Sequence, residues 1–215
     1  LMFFGMAYFS AIFVALPFIL YFFTKKKMMA DPLLLFCKYF IYYWAFDLVI
    51  RYFMQQMPTQ NIKPFLTLGI TKKKLVNYTL LKILFNFFNW GNLLFLLPFA
   101  GLLIFDGGYS IIHVIMFTIG IFAIFYFNNF LNILLNGKNI VLYFVFGVMT
   151  IFAALEYYEI IELSGYSQTI FYSFYEYAGF FLLPIILAIV VAYLAYQEIY
   201  KNFYLDKGLE LKVAE

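Results

Sequence analysis

Asp47 and Arg51 stand four residues apart in an otherwise apolar run, the spacing at which a carboxylate and a guanidinium meet on one helix face. Such a pair can brace a structure or relay protons. Arg51 lies near the end of its run, which favours an ion pair that anchors the segment after it. Thr79, Lys82, Asn86 and Asn89 follow one another at intervals of three, four and three, a polar stripe on one face of a helix. Asn129, Asn132 and Asn136, with Asn128 beside them, form a second stripe. Amides in apolar surroundings need partners. The stripes either bond helix to helix, within one copy or between two, or line a hydrated pathway that admits polar groups of a substrate. The first is the simpler.

Glu156, Glu159, Glu162 and Glu176 lie in a tyrosine-rich stretch. Glu159 and Glu162 share a helix face, Gly165 can end that helix and Ser167 can cap another. Residues 156–178 are thus either an aromatic belt on an ordinary loop or a broken re-entrant element that closes the mouth of a pathway, its carboxylates disfavouring anions. No histidine stands among them, so no metal site is assigned. His113, the one histidine, reads as a satisfied interface residue rather than a ligand. Gly137-Lys138 has neither the spacing nor the hydroxyl of a phosphate-binding loop, and no zinc-protease or nucleophile-elbow pattern occurs. No catalytic residue is assigned, and no cofactor is expected in this chain.

The elements that carry these residues follow from composition. The 215 residues are 66% hydrophobic and 12% charged, against roughly 25% charged in soluble domains. Too few charges remain to cover a water-facing surface, so the chain is read as an all-α polytopic membrane protein, a single transmembrane domain over 1–215. The net charge of +3 is then no nucleic-acid signal. A helix needs about 20 apolar residues to cross about 30 Å of hydrocarbon. Six segments qualify, at about 1–23, 33–54, 76–105, 111–135, 139–155 and 179–197. The third is overlong and must tilt, project or break near Asn89-Trp90-Gly91-Asn92. The chain opens at Leu1 inside an apolar run, which reads as a truncation at the N-terminus. Arg51, Lys63, Lys72, Lys73, Lys74, Lys138, Lys201, Lys207 and Lys212 fall on one side, and Lys25, Lys26, Lys27 and Lys38 with most of the acids on the other. The positive bias makes the first side cytoplasmic, with both termini on it.

Residues 55–74 then lie in the cytoplasm between spans two and three. Pro58 and Pro64 forbid one continuous helix there. Thr71 can cap the next helix, whose first turn holds Lys72, Lys73 and Lys74 against its dipole. These lysines suit anionic lipid headgroups or an acidic protein partner. The segment is either a helix lying on the membrane or a docking knob.

Six spans, a cytosolic turn between the second and third and a broken element between the fifth and sixth resemble the type-2 permeases of ATP-binding-cassette exporters. Arg51-Tyr52-Phe53-Met54-Gln55-Gln56-Met57-Pro58, Asn61-Ile62-Lys63-Pro64-Phe65-Leu66 and Ile70-Thr71-Lys72-Lys73-Lys74-Leu75-Val76 more narrowly resemble a permease family of Bacteroidetes-type bacteria. The resemblance implies that 55–74 is a coupling helix seated on a cytoplasmic ATPase. Pro58, Asn61, Ile62, Lys63, Pro64, Phe65, Leu66, Lys72, Lys73 and Lys74 would make that contact. It further implies a bacterial inner-membrane protein, working as a homodimer or with a second permease half, with ATP and Mg held by the partner ATPase. The elbow helix that usually precedes span one is not present, so it is expected before Leu1, or the chain is one half of a larger permease. The rival functions are a non-transporting membrane scaffold and an intramembrane enzyme acting on lipid.

Overall fold

The computed structural model describes residues 2–54, 71–85, 87–135 and 139–202. Among these the chain is helical throughout, without strands. The helices are α1 (Met2–Phe23), α2 (Pro32–Met54), α3 (Lys72–Leu84), α4 (Phe87–Phe105), α5 (Ile111–Leu135), α6 (Asn139–Tyr157), α7 (Leu163–Glu176) and α8 (Leu182–Asn202). Four stretches are long and apolar enough to cross a membrane: Pro32–Phe53, Lys72–Phe105, Ile111–Leu135 and Leu182–Lys201. The 22 residues of α1 contain no charge, and Tyr143–Tyr157 of α6 is a shorter apolar helix.

Local chemistry sets the helix ends at one pole of the bundle. A single π-helical turn, Thr24–Met28, follows α1 and closes at Met29, whose φ of 49° is left-handed. Asp31 then starts α2. Its Oδ1 accepts the Leu33 and Leu34 N–H groups at 2.8 and 3.3 Å, and Pro32 occupies the first helical position, where its missing N–H costs nothing. Such a cap contributes about 1 kcal/mol. Asp31 also accepts the Tyr109 hydroxyl, which joins the start of α2 to the start of α5. Between α4 and α5, Gly107 and Gly108 make the turn. A Cβ on Gly107 would lie 2.6 Å from the Leu103 carbonyl oxygen, and Gly108 has a φ of +71°.

Two apolar cores flank the middle of the bundle. One gathers Tyr21 of α1, Leu33, Cys37 and Phe40 of α2, Leu96, Phe99 and Leu103 of α4, Val114 to Phe125 of α5, and Phe171 and Phe174 of α7. Phe40 meets Phe171 edge to face at 4.6 Å. The other joins Leu75, Val76 and Ile83 of α3 to Phe130 and Ile133 of α5 and to Ala195 and Ile199 of α8. α5 passes through both and is the central helix. Its Gly120 lets Phe174 and Phe181 approach to within 3.2 and 3.3 Å of where a Cβ would stand.

Two expectations are corrected. The third apolar run breaks at Phe85, not at Asn89–Asn92, and Gly91 lies inside α4. α7 runs unbroken through Gly165 and Ser167, because Ser167 is spent on α2 rather than on a cap. Its buried hydroxyl donates to the Cys37 carbonyl at 2.7 Å and accepts the Ile41 N–H at 3.3 Å, the two groups of one helical rung. Thr71 precedes α3 as expected but makes no side-chain cap bond.

At the same pole, Lys25 Nζ donates to Asp106 Oδ2 at 2.6 Å and the Tyr21 hydroxyl donates to the same atom at 2.8 Å. The Lys25 hydrogen bond, and after it that of Tyr21, holds the Asp106 carboxyl below its ordinary 3.8. Asp106 in turn raises Lys25 above its ordinary 10.5. A depressed carboxylate gives stability that is present above 3.8 and lost as pH falls through its folded value. A raised lysine gives stability that is present below 10.5 and lost as pH rises through its folded value. Asp106→Asn should therefore lower the melting temperature in detergent by a constant amount from roughly pH 5 to 9. The difference should shrink toward zero as the pH falls below 3.8. A difference that instead grew between pH 5 and 9 would remove this ion pair from the account.

Candidate functional site

Arg51 sits three residues before the end of α2, and its side chain is 0% exposed. A guanidinium in apolar surroundings must be neutralised and hydrogen-bonded. One turn back on α2, Asp47 Oδ2 accepts from Arg51 Nε at 2.7 Å. From α4, Asn89 Oδ1 accepts from Arg51 Nη1 at 2.7 Å. From α5, Asn128 Nδ2 donates to Asp47 Oδ2 at 2.9 Å and to the Trp44 carbonyl at 2.9 Å, while its Oδ1 accepts the Trp44 indole N–H at 2.8 Å. Asn132, one turn on, donates to the Arg51 carbonyl at 3.2 Å. Asn128 thereby fixes the carboxylate, and the carboxylate and Asn89 fix the cation.

Asn89 does a second job. The break at Phe85 leaves the last carbonyls of α3 without helical partners. Asn89 Nδ2 reaches back to the carbonyls of Ile83 at 3.1 Å and Leu84 at 3.5 Å, and the Tyr126 hydroxyl of α5 also donates to Leu84 at 3.1 Å. One fully buried amide therefore closes the end of α3 and holds Arg51. On the next turn of α4, Asn92 accepts the Tyr43 hydroxyl at 2.8 Å. The junction ties α2, α3, α4 and α5 between the two apolar cores.

The residues singled out by spacing distribute unevenly. Asp47, Arg51, Asn89 and Asn132 meet in the junction, and Asn129 is buried on the same helix as Asn132. Thr79 is buried, but its hydroxyl returns to the Leu75 carbonyl of its own helix at 3.0 Å. Lys82 is exposed. The break at Phe85 separates both from Asn89, so the stripe from 79 to 89 is not one face of one helix. Lys72 lies over the Tyr200 ring of α8, 4.5 Å from its centroid, while Lys73 and Lys74 are exposed. Pro58, Asn61, Ile62, Lys63, Pro64, Phe65, Leu66, Asn86 and Asn136 lie outside the described residues.

The four glutamates do not converge. Glu156 Oε1 accepts the Ser164 N–H at 3.2 Å, capping the start of α7, and Glu159 is exposed with a left-handed φ of 57°. Glu162 precedes α7 and Glu176 is its last residue, and both are exposed. Among the described residues no group of three or more His, Cys, Asp or Glu could hold a metal ion. His113 packs against the Tyr175 ring at 5.5 Å. Trp44, Tyr126, the bonding of Ser167 to α2 and the Tyr109–Asp31 bond were not anticipated. Only Asp31 carried a readable signal, an aspartate directly before a proline at the head of an apolar run.

All-helical over its described residues, and with four stretches able to cross a bilayer, this chain is a helical membrane protein braced by a buried ion-pair junction. It belongs to the family of unknown function DUF5687, whose profile matches residues 1–215. No curated protein and no solved structure matches it.

The junction has a distinctive energetic signature. Asp47→Leu alone leaves a buried, uncompensated cation and should destabilise the protein by about 3–5 kcal/mol. Adding Arg51→Met removes that charge and should restore much of the loss. Thermal unfolding of the purified variants in detergent measures both. A double variant no more stable than Asp47→Leu would mean that the two side chains are not energetically coupled.

Proposed function

We propose that the chain is the membrane permease subunit of an ATP-binding-cassette exporter, coupling a cytoplasmic partner ATPase to substrate translocation. In this scheme α1, α2, α3 with α4, α5, α6 and α8 are the six spans of a bacterial inner-membrane protein with both termini in the cytoplasm. Residues 55–74 are the coupling segment, and the stretch 156–178 is an extracellular re-entrant element. The permease works as a homodimer or beside a second permease half. ATP and Mg belong to the partner.

The observation that carries the proposal is the burial of Arg51 at the end of α2 that leads into residue 55, bonded to α2 and α4 side chains and, through its carbonyl, to α5. A force applied to 55–74 then acts on three helices rather than on a loose connection. The other flank begins at Lys72, seated on the Tyr200 ring of α8. The resemblance of residues 51–76 to permease sequences names the kind of partner. A scaffold would present the same segment without ATP-linked motion.

Co-purification with a Walker-motif ATPase is expected. Burying one large apolar side chain is worth about 1.5–3 kcal/mol, so Phe65→Asp or Leu66→Asp should weaken the complex at least about ten-fold and uncouple its ATPase rate. Cysteine labelling from outside should reach positions 25–27 and not 72–74. Labelling of 72–74 from outside, or a partner ATPase indifferent to both aspartate variants, would overturn the proposal. A lipid-acting activity lost on changing His113 or a glutamate between 156 and 176, with no ATPase needed, would favour the enzyme.

A further inference from the structure

The third long helical stretch is one in length but two in chemistry. α3 carries four lysines in 13 residues, whereas none of the 19 residues of α4 is charged. As one straight helix, the 34 residues from Lys72 to Phe105 would be about 51 Å long. Fitting that length into about 30 Å of hydrocarbon takes a tilt of about 54°, beyond the 0–40° that membrane helices adopt. α4 by itself is about 28 Å long and matches the hydrocarbon without α3.

The two sides of α3 define its surroundings. Leu75, Val76 and Ile83 are buried against α5 and α8. The outward face presents Tyr78, Leu81 and Lys82, with Phe85 directly after the helix, all of them exposed. Phe85 stacks on the exposed Trp90 of α4, the ring centroids 6.2 Å apart and the planes 9° from parallel. Lys82 makes no ion pair among the described residues. An exposed ammonium at hydrocarbon depth is costly. A surface of Tyr78, Leu81, Phe85 and Trp90 left in water would in turn lose the gain of apolar burial. The headgroup layer meets both demands, because aromatic rings settle there and phosphates offer an ammonium its counter-charge.

From these observations we infer that α4 alone crosses the hydrocarbon and that α3 lies at headgroup level. There its outward face holds an anionic phospholipid, with the phosphate at Lys82. The inference narrows the third span of the permease scheme to α4. It needs neither an ATPase nor transport, so it stands or falls separately from that scheme.

Depth and lipid choice are measured on the full chain in phospholipid vesicles. A nitroxide is placed at Leu81→Cys or Leu97→Cys, both exposed positions, while Cys37 is buried. Collisions with oxygen and with a water-soluble nickel chelate report the depth of each label. A span running from 72 to 105 would be centred between 88 and 89 and would put both labels at nearly equal depth. With α4 as the span, the label at 97 should lie near the bilayer centre and the label at 81 more than about 10 Å shallower. Lipid choice is read from the quenching of Trp90 by brominated phosphatidylglycerol or brominated phosphatidylcholine in mixed vesicles, with Trp90→Phe identifying its share of the fluorescence. Phosphatidylglycerol should be favoured about five-fold, the share of one lysine near a lipid surface, and Lys82→Gln should bring the preference close to one. Equal depths at 81 and 97 would overturn the inference. So would a label at 81 as open to the chelate as bulk water allows, the result for a face kept for a protein partner. Equal quenching by the two lipids, or a preference indifferent to Lys82→Gln, would remove the phospholipid site.

Discussion

A guanidinium with no exposed surface, in a bundle that is otherwise apolar, is the constraint to which the surrounding structure answers. Leaving Arg51 unpaired would be costly, so its partners are not optional. Asp47 comes free with the helix, one turn back. The remaining partners must be delivered by other elements, and Asn89 can reach Nη1 only if α4 does not continue the line of α3. The break at Phe85 therefore belongs to the ion pair as much as to the helix. The carbonyls it orphans are taken up by the Asn89 amide and Tyr126, so the residue that demands the break also repairs it.

Around this junction the apolar packing divides into two cores, and α5 threads both of them. Asn128 lies on α5 between its contributions to the two cores and Asn132 within the second, where they add interhelical bonds that in membrane proteins are worth roughly 0.6–2 kcal/mol each. α2 is gripped a second time nearer its start, where Ser167 bonds both groups of the Cys37–Ile41 rung. A hydroxyl there offers the backbone an extra donor and acceptor in a setting without water. α7 is thus bound to α2 through a main-chain contact as well as through Phe171, whose ring meets Phe40 and Trp44 edge to face.

Most helices were legible in the sequence because charges are so rare that apolar runs delimit themselves. The Asp47–Arg51 spacing was legible because it is local. What was not legible depended on partners far along the chain. Asn89 lies 38 residues from Arg51, and its role requires knowing that α4 turns back toward α2. The expected stripe from Thr79 to Asn89 assumed one continuous helix. Gly91 was expected to mark the break, yet a glycine inside a helix costs only about 1 kcal/mol, less than the packing of α4 returns. Phe85 carries no glycine or proline signal, so nothing local announces the break. Gly165 and Ser167 misled for the same reason, their punctuation overridden by contacts with α2 and α5.

The two flanks of residues 55–74 are held unequally, and this bears on how the bundle can move. On the α2 side, Arg51, Asp47, Asn89 and Asn128 satisfy one another where water cannot substitute, so losing one bond strands a polar group in apolar surroundings. Such a set shifts as a block or stays in place. On the α3 side, Lys72 rests over Tyr200 at 4.5 Å near the end of the bundle, a contact worth about 0.5–1 kcal/mol when exposed. Lys73 and Lys74 beside it are open to solvent or headgroups. Behind that outer contact α3 is packed on α8 and on α5 through Leu75, Val76 and Ile83, and its last carbonyl is held by Tyr126, so the flanks differ in how their outermost residues are held and not in whether they join the bundle.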